Sequence, residues 1–446
     1  MYNRTNSGGS RGFAKSRSQS SKNFSRRGYR NSFHSRSRGP RRRNFKSDYL
    51  SDDFYINKNV TAGHCESYKP KNNFTDFCID EKIKSSIINK KYTTPTPIQD
   101  MCIPLVLENK DIIGLADTGT GKTAAFLIPL IHQVIKNPSK KILIIAPTRE
   151  LAEQINMELR SFVYGMGIYS ALITGGANIK RQIFDLRRRY NFVIGTPGRI
   201  TDLIKRRILR LDNISTAVID EADRMLDMGF IDDVRAILDQ TSRDKQTLLF
   251  SATLSLKIEK LIQDFLKNPV KISVKNKDIN NIFQDIVKYS HESEKPEMLL
   301  DILNKKESQK VLVFTKTKRQ ADELSKYLLK YGMRNALIHG DKQQSKRRRA
   351  LDDFKKEQVK VMIATDVAAR GLDICDVSHV INYDKPMTKE DYIHRIGRTA
   401  RANKTGIALT FIKERSRSNH YQKPYFKSNK PTFSNKYHKQ SSRKFR

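Results

Sequence analysis

A chain of 446 residues is long enough for two domains with tails, and its 37% hydrophobic residues can furnish their cores. No apolar run approaches a membrane span, and Cys65, Cys78, Cys102 and Cys375 are scattered without a Cys-x-x-Cys pair. A membrane-embedded chain, a disulfide framework and a zinc centre are thereby disfavoured, a reducing cytoplasm fits, and the net charge of +38 calls for a polyanionic partner.

That charge is unevenly placed. Residues 1–47 carry fourteen Lys/Arg and no acid, and residues 415–446 carry ten and again no acid, so the tails supply +24 of the +38. Segments of this kind repel themselves, stay disordered and attract nucleic acid. The steps Arg11-Gly12, Arg27-Gly28 and Arg38-Gly39 lie among Phe13, Phe24, Tyr29 and Phe33, a mixture suited to sequence-tolerant RNA contact. An acid-poor, Arg/Ser-rich start also has the composition of a transit peptide. With no Leu, Ile or Val before Leu50, however, it has almost no apolar helix face.

Between the tails, short apolar runs alternate with helical patterns. The expected strands are Ile112–Leu115, Ile142–Ala146, Phe192–Gly195, Ala217–Asp220 and Thr247–Ser251. They are followed by Val311–Phe314, Ala336–His339, Val361–Thr365, Val380–Tyr383 and Ile407–Phe411. Unbroken Val/Ile/Leu runs imply strands buried on both faces, hence parallel sheets covered by helices. The expected fold is therefore α/β with two such domains, at 51–274 and 285–412, joined by a linker at 275–284 and flanked by tails at 1–50 and 413–446.

Almost every strand runs into a polar string, where open α/β sheets place ligands. After Ile112–Leu115 comes Ala116-Asp117-Thr118-Gly119-Thr120-Gly121-Lys122-Thr123, then an apolar helix. The glycines let backbone N–H groups wrap a phosphate, Lys122 reaches the β- and γ-phosphates, and Thr123 offers a hydroxyl to magnesium. Ala116 stands where the strict Walker pattern has Gly. Val218-Ile219 runs directly into Asp220-Glu221-Ala222-Asp223, and carboxylates at the end of a core strand are costly unless they hold a cation or a water. Asp220 would hold a hard cation through water, and Glu221 would orient or deprotonate a water attacking the γ-phosphate.

Over roughly residues 70–412 the chain resembles a DEAD-box ATP-dependent RNA helicase, a superfamily 2 member with two tandem RecA-like domains. Phe74, with Tyr92-Thr93-Thr94-Pro95-Thr96-Pro97-Ile98-Gln99, is similar to the Q motif. There the aromatic, matched by Phe74, stacks on adenine and the Gln, matched by Gln99, bonds its edge. The resemblance implies RNA-backbone contacts from Pro147, Thr148, Arg149, Gly175, Gly176, Thr196, Pro197, Gly198 and Arg199, and from Gln344, Arg347 and Thr365 in the second domain. It implies coupling through Asp223, Ser251-Ala252-Thr253, His394 and Arg395, and contact of Asp373 with the ATP ribose.

His394-Arg395-Ile396-Gly397-Arg398-Thr399-Ala400-Arg401 resembles motif VI, in which Arg398 and Arg401 match arginine fingers. The family usually has Gly where Ala400 stands. A left-handed conformation there would cost on the order of 1 kcal/mol and shift Arg401. The resemblance implies ATP and Mg²⁺ as cofactors, RNA and ribonucleoprotein or ribosome-assembly partners, and a cytoplasmic RNA helicase. The run Met228–Arg235 is similar to bacterial members of the RhlE type.

Overall fold

The computed structural model describes residues 51–58, 68–117, 119–274, 281–369, 374, 376–400 and 405–414, all within one compact unit spanning residues 49–446. Thr118, Asp373, Arg401 and nearly all of both basic tails lie outside the described residues.

Two parallel sheets organise the chain. The first contains β1 (Ile112–Ala116), β2 (Ile142–Ile145), β3 (Ser170–Ile173), β4 (Phe192–Gly195), β5 (Thr216–Ile219), β6 (Gln246–Ser251) and β7 (Val270–Val274), in the order β3-β4-β2-β5-β6-β1-β7. The second contains β8 (Ile282–Tyr289), β9 (Val311–Thr315), β10 (Asn335–Ile338), β11 (Val361–Thr365), β12 (His379–Asn382) and β13 (Gly406–Lys413), in the order β10-β11-β9-β12-β13-β8.

The apolar runs explain the layering. In β2, Ile142 and Ile144 face one core with the helices Lys122–Lys136 and Arg149–Phe162. Leu143 and Ile145 face another with Pro197–Lys205, Ile231–Asp239 and Leu256–Phe265. Period-two alternation in β2 thus serves two apolar layers at once, so this strand carries no polar face. Because every pairing is parallel, the loops after Ala116, Ile145, Ile173, Gly195, Ile219 and Ser251 emerge on the same edge of the first sheet. That shared edge is what gathers the polar strings.

Two expected boundaries change. Residues 282–284, placed in the linker, already belong to β8, which pairs with β13 from Ile282↔Gly406 onward. Residues 51–57, placed in the first domain, pack on the second sheet, because Tyr55 is buried in its core and Asn57 bridges to Gln284. The last strand also continues to Lys413, one residue into the expected tail. Among the described residues no helix is long and apolar enough to cross a membrane.

Candidate active site and nucleic-acid groove

β1 ends at Ala116 and the following loop turns into the helix Lys122–Lys136 through Gly119 (φ 85°) and Gly121 (φ 93°). A Cβ on Gly121 would sit 2.6 Å from Gln99 Nε2 and 2.8 Å from Thr96 Oγ1, so a side chain there would displace the Gln99 amide as well as strain φ. Gln99 latches this loop. Its Nε2 donates to the Gly121 carbonyl at 3.1 Å while its Oε1 accepts from the Thr96 N–H at 3.0 Å. One amide N–H and one lone pair are left for a ligand edge. Lys122 is buried and donates to the Ala116 carbonyl at 2.9 Å.

A cleft of about 570 Å³ opens here, lined among others by Tyr92, Gln99, Lys122, Asp220, Glu221 and Arg398. Gly119, Gly121 and Thr123 are also on its wall, and Arg398 reaches it from the second domain. Phe74 is not on this wall. It is buried in the first core, its ring 6.2 Å from that of Tyr92, and Tyr92 is the aromatic that lines the cleft. The adenine-stacking expectation for Phe74 is corrected accordingly: a side chain closed into a core offers no face to a base.

β5 delivers the carboxylates. Burial, followed by the nearby Glu221 and Asp223 charges, pushes Asp220 up to about 6 even though Lys122 pulls the other way. Its Oδ1 is buried without a hydrogen-bond partner. An orphaned anionic oxygen at a strand end suits a hydrated cation. Among the described residues no group of three His, Cys, Asp or Glu forms a cage, so an ion here would depend on Asp220, the Thr123 hydroxyl and phosphate oxygens.

Glu221 is held in the left-handed region (φ 55°, ψ 55°), a strain of about 1–3 kcal/mol at a non-glycine residue. Burial would raise its pKa, but Arg224, 2.8 Å away, together with Lys122 and Arg398, holds it below the usual carboxylate range. Asp223 binds the end of β6. Its Oδ2 accepts from the Ala252 and Thr253 N–H groups at 2.9 and 3.0 Å, and its own N–H donates to Ser251 Oγ at 3.2 Å. The expected link between Asp223 and Ser251-Ala252-Thr253 is therefore a direct set of bonds.

The nucleic-acid candidates share a second cleft of about 550 Å³ that both sheets line. Pro147, Thr148, Arg149, Gly175, Gly176, Thr196, Gly198 and Arg199 come from the first sheet's loops, and Gly340, Arg347 and Ala368 from the second. Arg149 lies across the glycine pair, where a Cβ on Gly176 would stand 2.0 Å from Arg149 Nη1. Arg199 is steadied by Gln182 Oε1 at 3.2 Å, and Thr148 caps the helix Arg149–Phe162 by accepting from the Leu151 N–H.

Four expected roles shift. Pro197 is buried as the first residue of its helix, and Thr365 is buried at the end of β11, three residues before the groove-lining Ala368. Gln344 and Arg347 both turn to Glu150 of the first domain, at 3.1 and 2.8 Å, and only Arg347 lines the groove. Arg395 is held inside the second domain by both Asp366 oxygens at 2.6 Å, by Asn382 Oδ1 and by the Asp384 carbonyl. These bonds tie it into that domain, whereas His394 stays partly exposed on the same helix, Lys389–Ile396.

Sequence alone does not single out Glu150 and Arg224 as partners, since an acid inside a phosphate-gripping loop and a base after the acidic string read as solvated charges. Tyr92 stands in the Pro-rich string itself, and sequence alone does not separate it from Phe74 as the aromatic that faces the cleft.

A glycine-rich phosphate cradle, a strand-end acidic pair and an arginine from a second RecA-like sheet define a two-lobed nucleoside-triphosphate hydrolase site. Residues 96–261 match the DEAD/DEAH box helicase family and residues 294–403 the helicase conserved C-terminal domain. The chain is 48% identical over 345 residues to the ATP-dependent RNA helicase CshA of Listeria monocytogenes, covering 77% of this chain and 66% of that protein. It is 45% identical over 348 residues to the DEAD-box ATP-dependent RNA helicase CshA of Bacillus subtilis, covering 77% and 70%.

The structure of Saccharomyces cerevisiae Dbp5 bound to RNA and ADP BeF3 superposes with a TM-score of 0.69 at 31% identity, covering 77% of this chain and 90% of that one. The chain belongs to the DEAD-box family of ATP-dependent RNA helicases. Both of these relatives are bacterial CshA proteins.

Proposed function

We propose that this protein is an RNA-dependent ATPase that closes two lobes over ATP and RNA and thereby remodels short RNA duplexes and RNA–protein complexes. The observation that carries this reading is the shared cleft wall: Lys122, Asp220 and Glu221 from the first sheet's edge and Arg398 from the second domain. Neither lobe alone completes the site, so closure links hydrolysis to whatever else spans both lobes. The groove holding Arg149, Gly176 and Arg199 opposite Gly340 and Arg347 spans both. Its backbone N–H groups, hydroxyls and arginines suit phosphate and 2′-OH contact, which carries little sequence information. The RNA-bound Dbp5 structure supports the same use of this fold.

Within the site, Tyr92 stacks on adenine, Gln99 bonds its edge, and Asp373 meets the ribose. Thr118, Gly119, Thr120 and Gly121 wrap the phosphates beneath Lys122. Thr123 and, through water, Asp220 would hold a magnesium ion, which would supply charge neutralisation to the phosphates. Glu221 orients or deprotonates the attacking water, with its anionic form favoured by Arg224 and Lys122. Arg398 and Arg401 stabilise charge on the transferring group. Asp223 communicates the nucleotide state to Ser251-Ala252-Thr253, and His394 extends that coupling. The basic tails tether RNA and raise its local concentration. A cytoplasmic setting and ribonucleoprotein or ribosome-assembly partners complete the proposal.

The test is steady-state ATP hydrolysis with single-stranded RNA, with single-stranded DNA and with neither. Stimulation by RNA alone supports the reading, and a rate indifferent to RNA sinks it. Deleting residues 1–47 and 415–446 should weaken RNA binding and flatten its salt dependence while hydrolysis persists.

A further inference from the structure

Residues ahead of the Q motif dock on the opposite domain. Asp52–Tyr55 form a single 3-10 turn, and Asn57 exchanges two backbone hydrogen bonds of 2.9 Å with Gln284 on edge strand β8. Tyr55 is fully buried in the second domain's core. Its ring meets Tyr392 edge-on at 4.9 Å, and Phe54 packs on Tyr392 at 5.4 Å. Lys385 Nζ lies 5.0 Å from the Tyr55 ring and 3.5 Å from Asp52, and Lys58 pairs with Asp285 at 3.4 Å. Ten residues beyond Lys58, Tyr68 is bonded to Asp100 of the first domain at 2.6 Å. The chain therefore joins the two domains here as well as across residues 275–280, and the stretch after Lys58 can span no more than on the order of 35 Å.

The target of this docking is specific. Tyr392 lies on the helix Lys389–Ile396, and its hydroxyl donates to Gln284 Oε1 at 2.8 Å, the side chain of the residue whose backbone Asn57 holds. Two residues after that helix ends stands Arg398, on the wall of the nucleotide cleft. We propose that Asp52–Asn57 form a strap whose Phe54 and Tyr55 are positioning residues for the Arg398 helix. The strap sets the arginine's approach to the phosphates and ties it to the first domain. This rests on the reading of Arg398 as an arginine finger.

The aromatic packing carries the effect. The Tyr55 hydroxyl is buried without a hydrogen-bond partner, so Tyr55→Phe removes an unsatisfied group and keeps the ring. A misplaced reacting group lowers turnover more than nucleotide affinity.

The experiment compares RNA-stimulated ATPase of full-length wild type, Tyr55→Phe, Phe54→Ala and the Phe54→Ala/Tyr55→Ala pair, together with deletions of residues 1–50 and 1–58. Losing the strap should lower kcat roughly tenfold while KM for ATP stays within about twofold. Tyr55→Phe should keep the wild-type kcat, and the 1–50 deletion, which removes the basic tail and leaves the strap, should reach the same kcat once RNA is saturating. Phe54 is only partly buried, so Phe54→Ala reports even if the double variant unfolds. A peptide of residues 49–58 added to the 1–58 deletion should restore part of the lost rate. Wild-type kcat in both Phe54→Ala and the 1–58 deletion overturns the strap, as does a Phe54→Ala defect confined to KM. An inactive wild type would instead overturn the ATPase reading.

Discussion

Glu150 of the first domain and Arg347 of the second form an ion pair of 2.8 Å, with side chains only 9% and 13% exposed. Gln344 donates to the same carboxylate oxygen at 3.1 Å. The Gln-x-x-Arg pair thus joins the two domains at the rim of the groove that Arg347 lines. At this burial, removing one partner strands the other charge. Glu150→Ala and Arg347→Ala should each lower RNA-stimulated turnover. The double variant should lose less than their sum, by a coupling of about 1 kcal/mol or more in a double-mutant cycle. Additive losses would show that Arg347 acts on RNA alone.

Gln99 gives a second prediction. Its amide bridges the Thr96 N–H and the Gly121 carbonyl, and it also lines the nucleotide cleft. Gln99→Glu places a carboxylate against the Gly121 carbonyl and loses the donor, so KM for ATP should rise about tenfold and folding stability should fall by about 1–3 kcal/mol. An unchanged KM would remove Gln99 from the nucleotide site.

Much of this site was legible because its residues sit together in sequence, at the ends of strands whose apolar runs are unmistakable. The three strands that escaped notice, β3, β7 and β8, are all sheet edges. β7 reads Val-Lys-Ile-Ser-Val with alternating exposure, and a half-solvated strand lacks the continuous run that marks its buried neighbours. The strap was illegible for a different reason. Asp-Asp-Phe-Tyr carries no period, and only the tertiary fold shows that Tyr55 has a core to enter. Phe74 and Tyr92 are both aromatics near the same motif, and packing alone decides which one faces the cleft.

The departure at Ala400 was legible, and the structure gives it φ 56° at 3% exposure. The left-handed strain costs on the order of 1 kcal/mol, while the buried methyl contributes about 0.8 kcal/mol. The two nearly offset. Ala400→Gly should therefore move the urea unfolding free energy by less than about 1 kcal/mol and retain RNA-stimulated hydrolysis. A large loss of stability would mean that the methyl is packed more tightly than its exposure implies.

Asp100 predicts a pH dependence. Burial favours its neutral form, but bonds from Tyr68 Oη, the Asn72 side chain and the Lys71 and Asn72 N–H groups outweigh it and hold the pKa below the usual value. A depressed carboxylate stabilises the fold above its unfolded pKa of roughly 4, and that contribution is lost as pH falls through the lower folded value. Asp100→Asn should cost about 1–3 kcal/mol at pH 7 and progressively less as pH falls below about 4, measured by urea unfolding across that range. A cost that does not change with pH would deny the carboxylate this role.

The role proposed for Glu221 and Arg398 is to complete one hydrolytic site from two domains under RNA control. It is tested most directly by ATP turnover of wild type, Glu221→Gln and Arg398→Ala, each with and without single-stranded RNA. RNA should stimulate the wild type only, with both variants about 10²-fold or more below the RNA-stimulated rate. Glu221→Gln should nevertheless bind a fluorescent ATP analogue as tightly as wild type. Equal rates in all six conditions would contradict it.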